Sequence, residues 1–346
     1  VHDKTSFPKS IEIFGGRMKY MVQARGLTRH FKVKKDIVEA VRGVDLDVRE
    51  GELVTFLGPN GAGKSTFIKM LTTLLPPTAG SASIVGYDVV NHPASVRQHI
   101  GYVGQGNGAG HNYRVRDELV IQGLCYGLSR AESNQRSDQL LEALDLQALA
   151  KRTVSTLSGG QMRRLDVAIG LVHRPSLLFL DEPSTGLDPH SRANLWEHIL
   201  KLRQQYGITI FLTTHYLDEA DAMAERVIVI DHGQIIADDT PTKLKDRLSG
   251  DNIIISTDKA DELMPIASVF HQITGDQPDI NHETLTISQR ILNGTRVLPE
   301  LLKKIDSANL TIQTVEIKRP TLDDVFLSLT GRSIREDNTA SQEVKE

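Results

Sequence analysis

The sequence predicts an α/β fold: a largely parallel sheet with helices on both faces, followed by a small C-terminal α+β domain. Three observations predict it. Between residues 20 and 247, short runs of consecutive apolar residues alternate with helical stretches, the pattern of strands buried on both faces. A glycine-rich turn at 58–63 joins one such run to a helix. After Asp246 the order becomes strand, helix, strand, helix, strand, close to a split βαβ, ferredoxin-like arrangement.

Taken in chain order, residues 1–20 read as an N-terminal extension. Strands are expected at 22–25, 53–57, 100–103, 177–180, 208–212, 227–230 and 234–237, with more antiparallel strands around 40–48 and 81–84. His232-Gly233 reads as a hairpin turn between the last two. The stretch 114–153 is mostly helical, with Leu119, Leu124, Leu140, Leu141 and Leu144 among its apolar positions. It interrupts the α/β domain (21–247) as an inserted helical piece at about 106–165. A linker is expected at 248–252. The C-terminal domain, 252–331, should hold strands at 253–256, 284–287 and 310–317 and helices at 261–271 and 296–305. A final short helix, 322–329, carries Leu322, Val325, Phe326 and Leu329 at helical spacing. It should pack on its own domain or on another subunit. The polar tail 332–346 reads as disordered.

Composition narrows the function. The chain has 346 residues, with 40 basic and 44 acidic side chains and a net charge of -4. That is no polybasic duplex binder. No run of about 18 apolar residues could span a membrane, and the N-terminal residues show no signal-peptide pattern. One cysteine, Cys125, cannot make an internal disulfide or a zinc cluster. These features point to the cytosol.

Chemistry enters with Gly58-Pro59-Asn60-Gly61-Ala62-Gly63-Lys64-Ser65-Thr66, which fits G-x-x-x-x-G-K-[ST] between a strand and a helix. Glycines let backbone N–H groups converge on phosphates, and the new helix points its positive end at the same anions. Lys64 should reach the β- and γ-phosphates, Ser65 should ligate Mg²⁺, and Thr66 should meet the α-phosphate. A second motif is the apolar run 177–180 ending in Asp181-Glu182. Acids at the carboxyl end of a central parallel strand face the ligand crevice. Asp181 is placed to hold Mg²⁺ through water, and Glu182 to polarise an attacking water as general base.

Between these motifs stands Leu157-Ser158-Gly159-Gly160-Gln161, which resembles the signature of ATP-binding-cassette (ABC) ATPases. Other elements of that family occur in its order. Gln105 matches the Q-loop, Ser184-Thr185-Gly186-Leu187-Asp188 the D-loop and His215 the switch histidine. Phe31 sits where an aromatic stacks on adenine. The resemblance covers about residues 20–245. It implies an ABC-type P-loop ATPase: a RecA-like core, an antiparallel β subdomain and the inserted helical subdomain. It also implies ATP and Mg²⁺, with Gln105 near the metal, and a head-to-tail homodimer. In such a dimer each ATP lies between the phosphate loop of one copy and Ser158, Gly159, Gly160 and Gln161 of the other, near Asp188. Lys64, Gln105, Glu182 and His215 form the implied catalytic set.

A narrower likeness follows from Gln161-Met162-Arg163-Arg164-Leu165-Asp166, from 170–175, from 214–221 and from 319–332. These resemble the daunorubicin-resistance-type branch of ABC exporter ATPases. That branch implies a separate integral-membrane permease, export of drug-like or lipophilic compounds, and a place on the inner face of the cell membrane. Two features depart from it. His215 stands where many members carry Gln, and the glycine-rich 106–113 is unusual where the cassette grips its permease. His111 in that stretch reads as a surface residue and not as a metal ligand.

The competing reading is a soluble ABC ATPase in a nucleic-acid process. It calls for two cassettes in one chain, a long coiled coil or zinc cysteines; none is visible, so no nucleic-acid partner is expected. A third reading, a nucleotide-binding module without turnover, is opposed by Glu182 and His215.

Overall fold

The computed structural model describes residues 20–34, 36–110, 112–248, 250–292 and 294–332. The expected extension before Tyr20, the expected tail beyond Arg332 and His111 lie outside these described residues. The chain divides after Asp239 into two compact units.

The first unit begins with a long hairpin, β1 (Tyr20–Val33) and β2 (Asp36–Arg49), then β3 (Leu53–Leu57) and α1 (Lys64–Leu71). There follow β4 (Ala79–Ile84), β5 (Tyr87–Asp88), α2 (Pro93–His99) and β6 (Ile100–Val103). Three helices come next: α3 (Val115–Cys125), α4 (Arg130–Ala143) and α5 (Gly159–Leu171). The unit closes with β7 (Leu177–Asp181), α6 (Pro189–Tyr206), β8 (Thr209–Thr214), α7 (Leu217–Met223), β9 (Arg226–Asp231) and β10 (Gln234–Asp239). An antiparallel sheet has the order β2-β1-β4-β5. The other sheet runs β10-β9-β3-β8-β7-β6, parallel except for β10.

Alternation along the central strands explains the layers. Val54, Phe56, Leu177, Phe179 and Phe211 face one core, shared with α1 and the antiparallel sheet. The Phe56 ring stacks on Phe67 of α1 with centroids 5.0 Å apart. Leu178, Leu180, Ile210 and Leu212 face the other core, shared with α3, α4, α5 and α6. A strand apolar on both faces is stable only between two such layers. The β9–β10 turn is the expected two-residue hairpin: His232 and Gly233 both take positive φ, 44° and 78°.

In the second unit come α8 (Pro241–Asp246), β11 (Asp251–Ser256), α9 (Leu263–Thr274) and β12 (Asp279–Asn281). They are followed by β13 (Thr286–Ile291), α10 (Gly294–Ser307), β14 (Thr314–Lys318) and α11 (Leu322–Thr330). Its sheet is antiparallel in the order β12-β13-β11-β14, a ferredoxin-like topology. Ile253, Ile255 and Ile287 bury one face against Phe270, Leu301 and Ile305. The domain boundary differs from the sequence reading. The division falls after Asp239, not at 248–252, because α8 buries Pro241 and Leu244 and packs against α11 in the same unit. That contact also places α11 on its own unit, through Leu322, Val325 and Phe326.

Candidate active site

Four neighbouring strands of the parallel sheet aim their carboxyl ends at one place. β3 runs into the glycine-rich turn, β8 into His215, β7 into Asp181-Glu182 and β6 towards Gln105. A pocket of about 170 Å³ opens there, lined by Ala40, Asn60, Gly61, Gly63, Lys64, Ser65, Thr66, Gln105 and Glu182.

Lys64 is 4% exposed. Its Nζ donates to the carbonyls of Gly58 at 2.8 Å and Pro59 at 3.0 Å, and lies 3.2 Å from Glu182 Oε1. Burial lowers the lysine's pKa, opposed by the charge of Glu182. The second carboxylate oxygen of Glu182 lies 3.3 Å from His215 Nδ1. Burial alone would raise Glu182, but His215 and Lys64 outweigh it and bring its pKa down to about 2. The residue is therefore an ionised base in the neutral range. Its backbone takes φ 48°, a left-handed conformation that costs a side-chain-bearing residue roughly 1–2 kcal/mol.

Beside this pair, Ser65 Oγ donates to Asp181 Oδ1 at 3.0 Å and accepts from Gln105 Nε2 at 3.0 Å. Thr213 Oγ1 donates to the same Asp181 oxygen at 2.7 Å. Burial raises the pKa of Asp181, against the hydrogen bonds from Thr213 and Ser65. A buried carboxylate, a hydroxyl and an amide thus converge.

The loop itself is backed by other backbone. Gly63 has φ 104°, and a Cβ there would lie 2.3 Å from the Ala40 carbonyl oxygen. Gly233 N–H donates to Ala62 O at 3.0 Å, while Arg42 N–H donates to Gly233 O at 2.9 Å.

Ser158, Gly159, Gly160 and Gln161 lie elsewhere. Ser158 caps α5: its Oγ accepts from Gln161 N–H, and the Gln161 side chain accepts from Ser158 N–H at 3.0 Å. Ser158, Gly160 and Gln161 line a second pocket of about 310 Å³ with Asp145, Arg164, His190, Ser191 and Asn194. The two pockets share no residue. Asp188 caps α6 through Ser191 N–H at 2.9 Å. Gly58, Pro59 and Ala62 shape the loop from behind without lining the first pocket. Phe31 does not line it either; it sits on β1 opposite Val38, with the Arg29 guanidinium 4.8 Å from its ring.

Sequence reasoning passed over Ala40 and Thr213. Thr213 had a visible signal, since it stands two residues before His215 on an apolar strand. Ala40 had none.

A family described as "ABC transporter" matches residues 41–185, and one described as "ATP-binding protein DrrA1-3-like, C-terminal domain" matches 240–330. The doxorubicin resistance ATP-binding protein DrrA of Mycobacterium tuberculosis is 41% identical, over 86% of this chain and 90% of that one. The daunorubicin resistance ATP-binding protein DrrA2 of Streptomyces coeruleorubidus is 37% identical, over 94% and 98%. Among solved structures, a dimeric post-hydrolysis ATP-binding cassette bound to ADP and Pi matches with a TM-score of 0.59. It is 26% identical and covers 64% of this chain and 98% of that one.

Proposed function

Since the chain belongs to the ATP-binding subunits of ABC transporters, in the branch of the doxorubicin- and daunorubicin-resistance proteins, we propose that it works as a head-to-tail pair of copies. The pair hydrolyses Mg²⁺-ATP and drives export of a drug-like or lipophilic compound through a separate integral-membrane permease. The observation that carries this reading is the separation of the two pockets. Lys64, Ser65, Gln105 and Glu182 share one, whereas the Ser158–Gln161 segment opens into another. A site needing both halves takes them from two chains.

Each residue then has a task. Lys64 exchanges its loop carbonyls for β- and γ-phosphate oxygens. Glu182, held ionised by His215 and Lys64, accepts a hydrogen bond from the attacking water and aligns it. His215 fixes the second carboxylate oxygen and meets the γ-phosphate. Ser158 and the N–H groups opening α5 come from the other copy to the same phosphate. Phosphoryl transfer needs mainly this positioning and charge neutralisation. Ser65, Asp181 and Gln105 are the residues that would hold Mg²⁺. Their hydroxyl, carboxylate and amide suit a hard cation, which supplies charge neutralisation at the β- and γ-oxygens.

A mixed pair tests the shared site. Lys64→Ala chains and Ser158→Arg chains should each be inactive alone. Mixed, they retain one site built from two intact halves, so phosphate release should return to a fraction of wild type. No recovery at any mixing ratio, with mixed dimers demonstrated by differential tags, would count against the shared site.

No described helix is long and apolar enough to cross a membrane. Docking to the permease is assigned to α3 and its flanks, where Tyr113, Ile121, Leu124 and Tyr126 are all at least 40% exposed. On this reading the chain works from the cytoplasmic face of the membrane that holds its permease. Ile121→Asp combined with Leu124→Asp should strip the chain from membranes that contain its permease, with the thermal transition kept. Undiminished recovery in the membrane pellet would rule this surface out.

A further inference from the structure

Arg163 lies on α5, two residues beyond the Ser158–Gln161 segment, and is 7% exposed. Its guanidinium is largely buried and lines neither pocket; it serves backbone carbonyls. Nε donates to Pro183 O at 2.6 Å and Nη1 to Gly104 O at 2.7 Å. Nη2 lies 3.3 Å from Asp181 O and 3.4 Å from Glu182 O. Asp166, the next residue on that face, sits 3.7 Å from Nη1 and accepts from Gly108 N–H at 2.9 Å.

Two consequences follow from these contacts. The segment 104–108 is tied at both ends to a single turn of α5, and Gln105 lies between the ties. The turn after β7, where Glu182 holds its left-handed φ of 48°, has its outward carbonyls gathered by the same fork. Five rigid N–H donors suit a guanidinium to this work, and an ammonium presents no such fork.

We infer that Arg163 and Asp166 are a positioning pair that sets Gln105 and Glu182 relative to the Ser158–Gln161 end of α5. Through this pair, the seating of that segment on the neighbouring copy's nucleotide reaches the residues that hold metal and water in its own pocket. The inference rests on the reading of the first pocket as the hydrolytic site.

The experiment compares Arg163→Gln, Arg163→Lys and Asp166→Asn with wild type and with Lys64→Ala. It reads steady-state phosphate release against ATP and against Mg²⁺, binding of trinitrophenyl-ATP, and thermal melting. Arg163→Gln should lower kcat on the order of 10–100-fold, the scale of a small misplacement of catalytic groups. It should raise the Mg²⁺ concentration for half-maximal rate and leave trinitrophenyl-ATP affinity largely unchanged, because the phosphate loop is untouched. Arg163→Lys should recover only part of the rate, and Asp166→Asn should shift kcat and Mg²⁺ dependence the same way by less. A folded Arg163→Gln chain with wild-type kcat and Mg²⁺ dependence would overturn the inference. If that variant does not fold, a wild-type kcat and Mg²⁺ profile for Asp166→Asn does so instead. Wild-type hydrolysis by Lys64→Ala would instead remove the hydrolytic reading on which the pair depends.

Discussion

Replacing Glu182 by Gln should cut steady-state ATP hydrolysis by about 10²–10⁴-fold, the usual range for a positioned general base, while ATP binding survives. The argument is local. Glutamine keeps the shape that fills the turn after β7, and Lys64 keeps its two carbonyl acceptors at 2.8 Å and 3.0 Å. Losing the Glu182 charge lets burial lower the lysine's pKa further, and incoming phosphate oxygens restore a negative partner. What disappears is the charge that accepts the water's hydrogen bond, a charge held far below the ordinary carboxylate range by His215 and Lys64 against the pull of burial. Bound but unhydrolysed ATP should hold two copies together, so the variant with MgATP should elute as a dimer. Turnover within a few-fold of wild type would remove Glu182 from the reaction. A chain that loses hydrolysis yet never dimerises would weaken the two-copy site.

Lys64→Ala acts on the earlier step. A buried charge that meets its ligand by charge-assisted hydrogen bonds is worth about 2–5 kcal/mol when truncated, which corresponds to roughly 30- to 5,000-fold in affinity. ATP binding should fall by that factor and turnover should vanish at ordinary concentrations. The same substitution alters acid stability. Glu182 titrates at about 2 in the folded chain against an ordinary 4.5. The stability it contributes is therefore complete above pH 4.5 and is lost as pH falls towards 2. Without Lys64 the folded value rises, so less stability is lost across that window. Denaturant midpoints measured from pH 6 downward should fall less steeply in the variant than in wild type. Unchanged affinity for ATP would contradict the role given to Lys64; an unchanged acid slope would contradict the Lys64–Glu182 coupling.

Much of this was readable before any coordinates. Segments whose geometry depends on neighbours in sequence stood out: the loop from Gly58 to Thr66, the apolar run ending in Asp181-Glu182, and the run from Leu157 to Gln161 that opens α5. Strand positions followed from runs buried on both faces, and the turn at His232-Gly233 from its residue types. What stayed hidden depends on register and distant packing. Thr213 meets Asp181 because β7 and β8 pair at those two positions. Ala40 meets Gly63 because β2 passes under the phosphate loop. Arg163 gathers four carbonyls from two separated segments, Gly104 and 181–183. The short β12 was missed because three residues carry too little pattern, and α8 was assigned to the wrong side of the linker because its partner, α11, lies far along the chain.

The backing of the phosphate loop by Ala40 and Gly233 has a bearing on nucleotide choice. Main-chain atoms from the two sheets and a tight bend press together there, with no side chain between them to be exchanged for another. Such a floor grips any triphosphate alike, whatever base it carries. Discrimination between adenine and guanine has to be made at the far end of the molecule being held, and variation in that preference should be sought along the hairpin bearing Phe31.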